Sequence, residues 1–150
     1  MTDLQMTGPL VQVDGLTRRF DISKPWLNRV LEREGKQFLT ANADVSFQIN
    51  KGETFALVGE SGSGKSTIAK MIVGLLAPSA GHIRFDGEEM DFASGADMRA
   101  LRRRFQMIFQ DPFASLNPRW RVRDIVAEPI VTFGLLKGPE ITREVDRLLD

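Results

Sequence analysis

The chain has 150 residues, of which 42% are apolar and 27% are charged, and its twenty basic and twenty acidic side chains cancel. This composition is typical of one soluble globular domain, and the lack of net charge argues against nucleic acid or an anionic membrane as the partner. The absence of cysteine excludes disulfides and thiolate metal sites. The N-terminus has no secretory signal pattern, and the longest apolar stretches are too short to span a bilayer.

The N-terminal third of the sequence predicts a sheet. Residues 10–13 alternate weakly between apolar and polar and predict a first strand, which residues 16–20 follow. Residues 24–37 break this pattern, so we expect an inserted loop there with one helical turn. Residues 45–49 alternate cleanly, and the turn Asn-Lys-Gly-Glu leads from them into the apolar run 54–58. We therefore expect a hairpin and an antiparallel or mixed sheet.

A glycine-rich segment directly after this run matches the phosphate-binding loop pattern G-x-x-x-x-G-K-[ST]. Glycine lets the backbone bend tightly and bring its N–H groups up to phosphate oxygens. Lys65 supplies a positive charge for the β- and γ-phosphates, Ser66 a hydroxyl for Mg²⁺, and Thr67 supports the same turn. The alternative is a Gly/Ser-rich turn with a chance lysine. The predicted ATP-binding residues are Gly59, Glu60, Ser61, Gly62, Ser63, Gly64, Lys65, Ser66 and Thr67.

A helix is expected to follow the loop, because Ile68, Met71, Ile72 and Leu75 recur at helical spacing. Its N-terminus would add partial positive charge where the phosphates lie. Residues 78–81, Pro-Ser-Ala-Gly, are expected to end this helix. Because a strand is expected before the loop and a helix after it, a phosphate-binding loop is favoured over a Gly/Ser-rich turn with a chance lysine.

The remaining sequence predicts a short strand and then three helices around another apolar run. Ile83 and Phe85 indicate a strand that Asp-Gly closes, and residues 96–104 indicate a short helix. The arginines of that helix favour a solvated face over a nucleic-acid patch, because acidic residues surround them and no aromatic pattern accompanies them. Residues 105–109 predict a strand. Two amphipathic helices are expected at 121–134 and 139–149, the first kinked or interrupted by Pro129.

Three segments together resemble the ATP-binding subunit of ABC transporters. They are the GESGSGKST loop, the Gly-His-Ile-Arg-Phe-Asp-Gly hairpin at 81–87, and Gln-Met-Ile-Phe-Gln-Asp-Pro at 106–112. The following segment 113–119, Phe-Ala-Ser-Leu-Asn-Pro-Arg, looks more specifically like the oligopeptide/dipeptide and nickel importer branch. The resemblance extends from about residue 10 to the C-terminus. Small GTPases do not fit, because their Asn-Lys-x-Asp base-reading motif does not occur.

The resemblance implies an α/β fold: a P-loop NTPase core with an N-terminal antiparallel β subdomain, to about residue 112, and the start of a helical subdomain over 113–150. It implies ATP and Mg²⁺ as ligands. Gln110 matches the glutamine that senses the γ-phosphate through Mg²⁺ and the attacking water, and Ser66 is the other metal residue. Phe20 matches the aromatic residue that stacks on adenine, but the 24–37 insertion lengthens its spacing to the loop, so a plain core role stays open.

Other motifs of the family do not occur in these 150 residues. There is no aliphatic run ending in Asp-Glu, no Leu-Ser-Gly-Gly-Gln signature, and the single histidine, His82, lies in the predicted hairpin, where a surface role is expected. We therefore expect the chain to be the N-terminal portion of a longer subunit. We also expect it not to hydrolyse ATP by itself at a rate typical of the family.

The leading functional hypothesis is an ATP-binding subunit that powers peptide import. It would lie on the cytoplasmic face of the cell membrane, meet the permease through residues 113–119, from Phe113 to Arg119, and pair with a second ATP-binding subunit. The alternative is a non-catalytic or non-transport nucleotide-binding module of the same type. The 113–119 segment favours the transporter, because non-transport relatives have no permease helix to meet.

Overall fold

The computed structural model describes residues 8–25 and 35–150. Within these residues, the chain divides between Met98 and Arg99 into two compact units. The first unit contains mainly strands and the second contains helices. Most of the segment 24–37, with its expected helical turn, lies outside the described residues. In chain order the described elements are β1 (Val11–Asp21), β2 (Phe38–Ile49), α1 (Lys65–Ile72), β3 (Ala80–Phe85), β4 (Glu88–Glu89), α2 (Gly95–Arg102), α3 (Pro112–Ser115), α4 (Val122–Thr132) and α5 (Pro139–Leu149).

The strands of the first unit form one antiparallel sheet in the order β2-β1-β3-β4. Strand β1 is central, so that Val13 faces Phe47 of β2 on one side and Ile83 of β3 on the other. The alternation of residues in β1 buries Val11 and Val13 on one face. The predicted antiparallel sheet is thus confirmed.

The ladder between β1 and β2 is irregular near Gly15. Both Gly15 and Asp44 have positive φ, +59° and +53°, and the register shifts on either side of Leu16. Hydroxyl groups replace the missing ladder bonds: Gly15 N–H donates to Ser46 Oγ at 2.9 Å, and Asp44 N–H donates to Thr17 Oγ1 at 3.0 Å. Strand β2 continues through this β-bulge and begins at Phe38, well before the clean alternation that the sequence shows.

The core of the first unit joins the sheet to helix α1. Leu16, Ile83 and Met71 are at most 1% exposed, and Ile68 lies on the same helical face as Met71 at a spacing of three. The predicted helix after the glycine-rich loop is confirmed, but it ends at Ile72. Leu75, expected on its apolar face, is 52% exposed.

Two predicted strands are not formed. The apolar runs 54–58 and 105–109 belong to no ladder, with Val58 91% exposed and Ile108 87% exposed. The predicted hairpin is wrong as well, since residues 45–49 belong to β2 and pair with β1. An apolar run becomes a strand only where a neighbouring strand pairs its backbone N–H and C=O groups, and no described strand pairs with either run.

The run 54–58 is nevertheless attached to the sheet through one aromatic contact. Phe55 stacks on Phe47 of β2 with ring centroids 4.9 Å apart and planes inclined by 6°. The turn before it also forms, with Glu53 N–H donating to Asn50 O at 3.2 Å. Side-chain stacking therefore holds this segment where the sequence had predicted backbone pairing.

The hairpin of β3 and β4 forms as predicted, with Asp86 and Gly87 between the strands at φ +53° and +84°. His82 lies on this hairpin with its ring largely exposed, and its Nδ1 is 2.6 Å from Glu89 Oε1. The expected surface role of His82 is confirmed.

The second unit is organised around helices α4 and α5. Ile130 and Val145 are buried, and Arg123 of α4 forms an ion pair with Asp146 of α5. Helix α4 continues through Pro129 without an interruption. The predicted helices at 96–104, 121–134 and 139–149 are therefore confirmed, with slightly shorter bounds for the first two. No helix within 8–25 or 35–150 is long and apolar enough to cross a membrane.

We predict that Gly81→Ala destabilises the first unit more than Gly87→Ala does. Both glycines have nearly the same φ, +87° and +84°, so the left-handed backbone costs alanine about 1–2 kcal/mol at each. At Gly81 a Cβ would also lie 2.6 Å from Asp14 O, whereas nothing lies within 4 Å of one at Gly87. Urea unfolding followed by circular dichroism measures both variants. Equal losses would contradict the close approach of β3 to β1 at this point.

Candidate functional site

The glycine-rich loop lies between the run 54–58 and helix α1. A turn forms within it, with Ser63 N–H donating to Glu60 O at 3.2 Å, and Gly62 and Gly64 have φ values of +83° and +88°. Such angles are strained for any residue with a Cβ, which explains why glycine occurs at both positions. The helix starts at Lys65, directly after the second of these glycines.

Gly64 lies in contact with strand β2. A Cβ at Gly64 would lie 2.5 Å from Ala41 O and would also overlap the side chain of Asn42. The Nδ2 group of Asn42 is 3.4 Å from Gly64 O, which also accepts the Ile68 N–H at 3.0 Å. The sheet therefore fixes the end of the loop at the point where the helix begins.

Lys65 hydrogen-bonds to the loop itself. Its Nζ donates to Gly59 O at 2.7 Å, to Glu60 O at 2.5 Å and to Ser63 Oγ at 3.2 Å. The ammonium group is thus placed beside the loop by oxygens of the loop. A bound phosphate would compete for the same three donor hydrogens, because an ammonium group has no more than three.

The N-terminal turn of α1 is suited to an anion. The first N–H groups of a helix have no partner within it, and no side chain caps this helix at Gly64 in the described structure. No acidic residue lies in its first turn. Ser66 is exposed beside these N–H groups and Thr67 is half-buried, while Glu60 and Ser61 are exposed in the loop. Together with Lys65, this arrangement provides several donors and no carboxylate at the helix start.

Within 8–25 and 35–150, no group of three or more His, Asp or Glu side chains could hold a metal ion. Mg²⁺ usually keeps several waters and takes substrate phosphates together with one or two protein groups as ligands. The donors on this chain fit that mode, with the exposed Ser66 hydroxyl at the helix start.

Phe20 lies near the end of strand β1, opposite Leu39 of β2. Its ring is half-buried, and the guanidinium of Arg18 lies 4.7 Å from the ring centroid. Arg18 in turn donates from Nη1 to Ala77 O at 2.8 Å. Phe20 is therefore outside the fully buried core, with a cation over its ring.

Gln110 and the segment 113–119 belong to the second unit. Gln110 is exposed at a bend just before α3. Phe113 is 85% exposed and Leu116 45% exposed, and the segment ends in a turn in which Arg119 N–H donates to Asn117 Oδ1 at 3.0 Å. The structure thus presents two apolar side chains of this segment on the surface of the second unit.

Asn42 was missed by the sequence analysis. It is the buried polar residue of the described core, 7% exposed, and its Oδ1 has no hydrogen-bond partner among the described atoms. The available signal was an asparagine three residues before the clean alternation of residues 45–49. The bulge at Asp44 hides the strand character of this stretch, because it breaks the period of two.

Comparison with known proteins places these features in a family. The profile described as "ABC transporter" matches residues 42–150. The glutathione import ATP-binding protein GsiA of Escherichia coli K12 is 42% identical over 142 residues, which is 95% of this chain and 22% of that protein. A putative peptide import ATP-binding protein of Brucella abortus is 44% identical over 143 residues, 94% of this chain and 41% of that protein. The chain thus spans less than half the length of these curated relatives.

Solved structures agree with the sequence comparison. CbiO1 from Clostridium perfringens, part of the ABC transporter complex cbiONQ, superposes with a TM-score of 0.61 at 28% sequence identity. The match covers 94% of this chain and 49% of CbiO1. The ATP-binding cassette MJ0796 bound to ADP and Pi superposes with a TM-score of 0.68 at 22% sequence identity. The match covers 91% of this chain and 54% of MJ0796, and at this identity it shows the fold alone. These neighbours confirm the predicted α/β P-loop fold. The chain belongs to the ABC transporter family.

Proposed function

We propose that this chain is the ATP-binding part of an ABC importer that uses Mg-ATP to drive peptide uptake through a membrane permease. The observation that carries the proposal is the junction of Gly64, Lys65 and helix α1, where a lysine and unpaired helix N–H groups converge and the first turn contains no acidic residue. The names of the relatives, which include peptide and glutathione import proteins, support the substrate class.

Each residue at this junction has a chemical role in the proposed site. Lys65 exchanges its contacts with Gly59 O, Glu60 O and Ser63 Oγ for β- and γ-phosphate oxygens. Backbone N–H groups of the loop and of the first turn of α1 bind the remaining phosphate oxygens. Ser66 would hold Mg²⁺ through its hydroxyl and Gln110 would be the second protein group for that ion, which would offset the negative charge of the phosphates.

The proposed partners are a permease and a second ATP-binding subunit. The exposed Phe113 and Leu116 provide apolar contact area in the segment 113–119, which we assign to the permease. ATP binding would close the pair of ATP-binding subunits, and release of phosphate after hydrolysis would reopen it. In this role the chain lies at the cytoplasmic face of the cell membrane, held there by the permease.

Lys65→Ala tests the phosphate site. We expect its affinity for Mg-ATP to fall about ten- to 150-fold, because a charged hydrogen-bond partner contributes on the order of 1.5–3 kcal/mol. Titration with a fluorescent ATP analogue measures this change. Lys70→Ala is the matched control, since Lys70 is an exposed lysine in the last turn of the same helix. Unchanged affinity in Lys65→Ala, or an equal loss in both variants, would refute the proposed site.

Phe20→Leu tests adenine stacking. We expect ATP affinity to fall about five- to 150-fold, because stacking of a base on an aromatic ring contributes on the order of 1–3 kcal/mol. Affinity for inorganic tripolyphosphate should stay the same, since this ligand has no base. Competition titrations measure both ligands, with Phe38→Leu on the neighbouring strand as the control for an exposed phenylalanine. A parallel loss of both affinities would assign Phe20 to the fold instead.

Phe113→Asp tests the permease surface. We expect association with the permease subunits of a peptide importer to fall at least tenfold, because a carboxylate replaces an apolar side chain that is 85% exposed and available for burial. Co-purification with the detergent-solubilised permease measures it. Val122→Asp, at a residue that is 66% exposed and outside the segment 113–119, serves as the control. Equal association of the Phe113 variant and the wild type would remove the segment from the interface.

A further inference from the structure

Asn42 of strand β2 is a buried polar residue without an obvious structural benefit. It is 7% exposed, and while its Nδ2 reaches Gly64 O at 3.4 Å, its Oδ1 has no partner among the described atoms. A buried acceptor without a partner destabilises the folded state, and an apolar side chain of the same shape would remove that cost. The presence of asparagine here is therefore best explained by what its amide group does for Gly64.

We propose that Asn42 is a positioning residue for phosphate binding, which fixes the peptide group between Gly64 and Lys65. The inference rests on the proposed function and assigns a role within the same site. It does not require Asn42 to contact the nucleotide.

The geometry of the peptide group explains how this works. Gly64 O accepts two hydrogen bonds, one from Ile68 N–H at 3.0 Å and one from Asn42 Nδ2 at 3.4 Å. In a planar trans peptide the C=O and the following N–H point in opposite directions. Holding Gly64 O from two sides therefore also fixes the direction of the Lys65 N–H, which is the first donor of the helix.

The anchor matters because most of the loop is glycine-rich and has few contacts that restrain its backbone. Its glycines can adopt many backbone conformations, and ordering them on binding costs conformational entropy. In the described part of the chain, Asn42 is the only side chain outside residues 59–67 that hydrogen-bonds to this loop. Preorganisation by Asn42 would thus increase affinity without adding a contact to the ligand.

Asn42→Leu separates this role from a structural one. Leucine has a similar branched shape and no polar atom, so we expect the urea midpoint of the 150-residue chain to stay the same or rise. Mg-ATP affinity should nevertheless fall about five- to twentyfold, and hydrogen exchange at the Ile68 amide, which donates to Gly64 O, should become faster. A residue with only a structural role would change stability and affinity in the same direction or leave both unchanged.

Two further variants complete the experiment. Asn50→Leu, in the exposed turn after β2, is the control and should keep the affinity of the wild type. If Asn42→Leu does not fold, Asn42→Ala is measured in the same way and should also bind Mg-ATP more weakly than the wild type. If a folded Asn42 variant binds Mg-ATP with wild-type affinity, the role of Asn42 is refuted while the proposed function stands. If the wild-type chain itself binds no Mg-ATP, the proposed function fails, and this inference fails with it.

Discussion

The contact between Gly64 and strand β2 determines most of what this structure can do. Because Gly64 has no Cβ, the loop can approach Ala41 O and Asn42 closely, and helix α1 can start at the next residue. The position of β2 depends in turn on β1, through a ladder that the bulge at Gly15 shifts. The antiparallel sheet thus acts as the rigid support of a loop that has little structure of its own.

The site combines this rigid support with an exchangeable charge. Lys65 is held by three oxygens of its own loop, and in the proposed function it exchanges these contacts for phosphate oxygens, which carry full negative charge. The helix start offers N–H groups and no carboxylate, so that the electrostatic preference for an anion comes from the backbone as well as from the lysine. In the proposed function, binding thus requires only local rearrangement of the Lys65 side chain.

The local elements were largely predictable and the strand pairing was not. The helices around Met71, Ile130 and Val145 follow from apolar residues at helical spacing, which is a property of the local sequence. Residues 54–58 and 105–109 have the composition of buried strands but no ladder partner in the described structure. Pairing depends on residues distant in sequence, and for this reason composition alone predicted too many strands.

The sequence by itself determined the glycine-rich loop, the family and the helix that follows the loop, because the positive φ of Gly62 and Gly64 favours glycine and the helical spacing after them is a local pattern. Only the tertiary structure decided the surroundings of Phe20 and Asn42. Arg18 lies over the ring of Phe20, which leaves it half-buried rather than in the core. Asn42 reaches Gly64 across 22 residues of sequence. Both results depend on side chains that folding brings together, and no local pattern encodes such contacts.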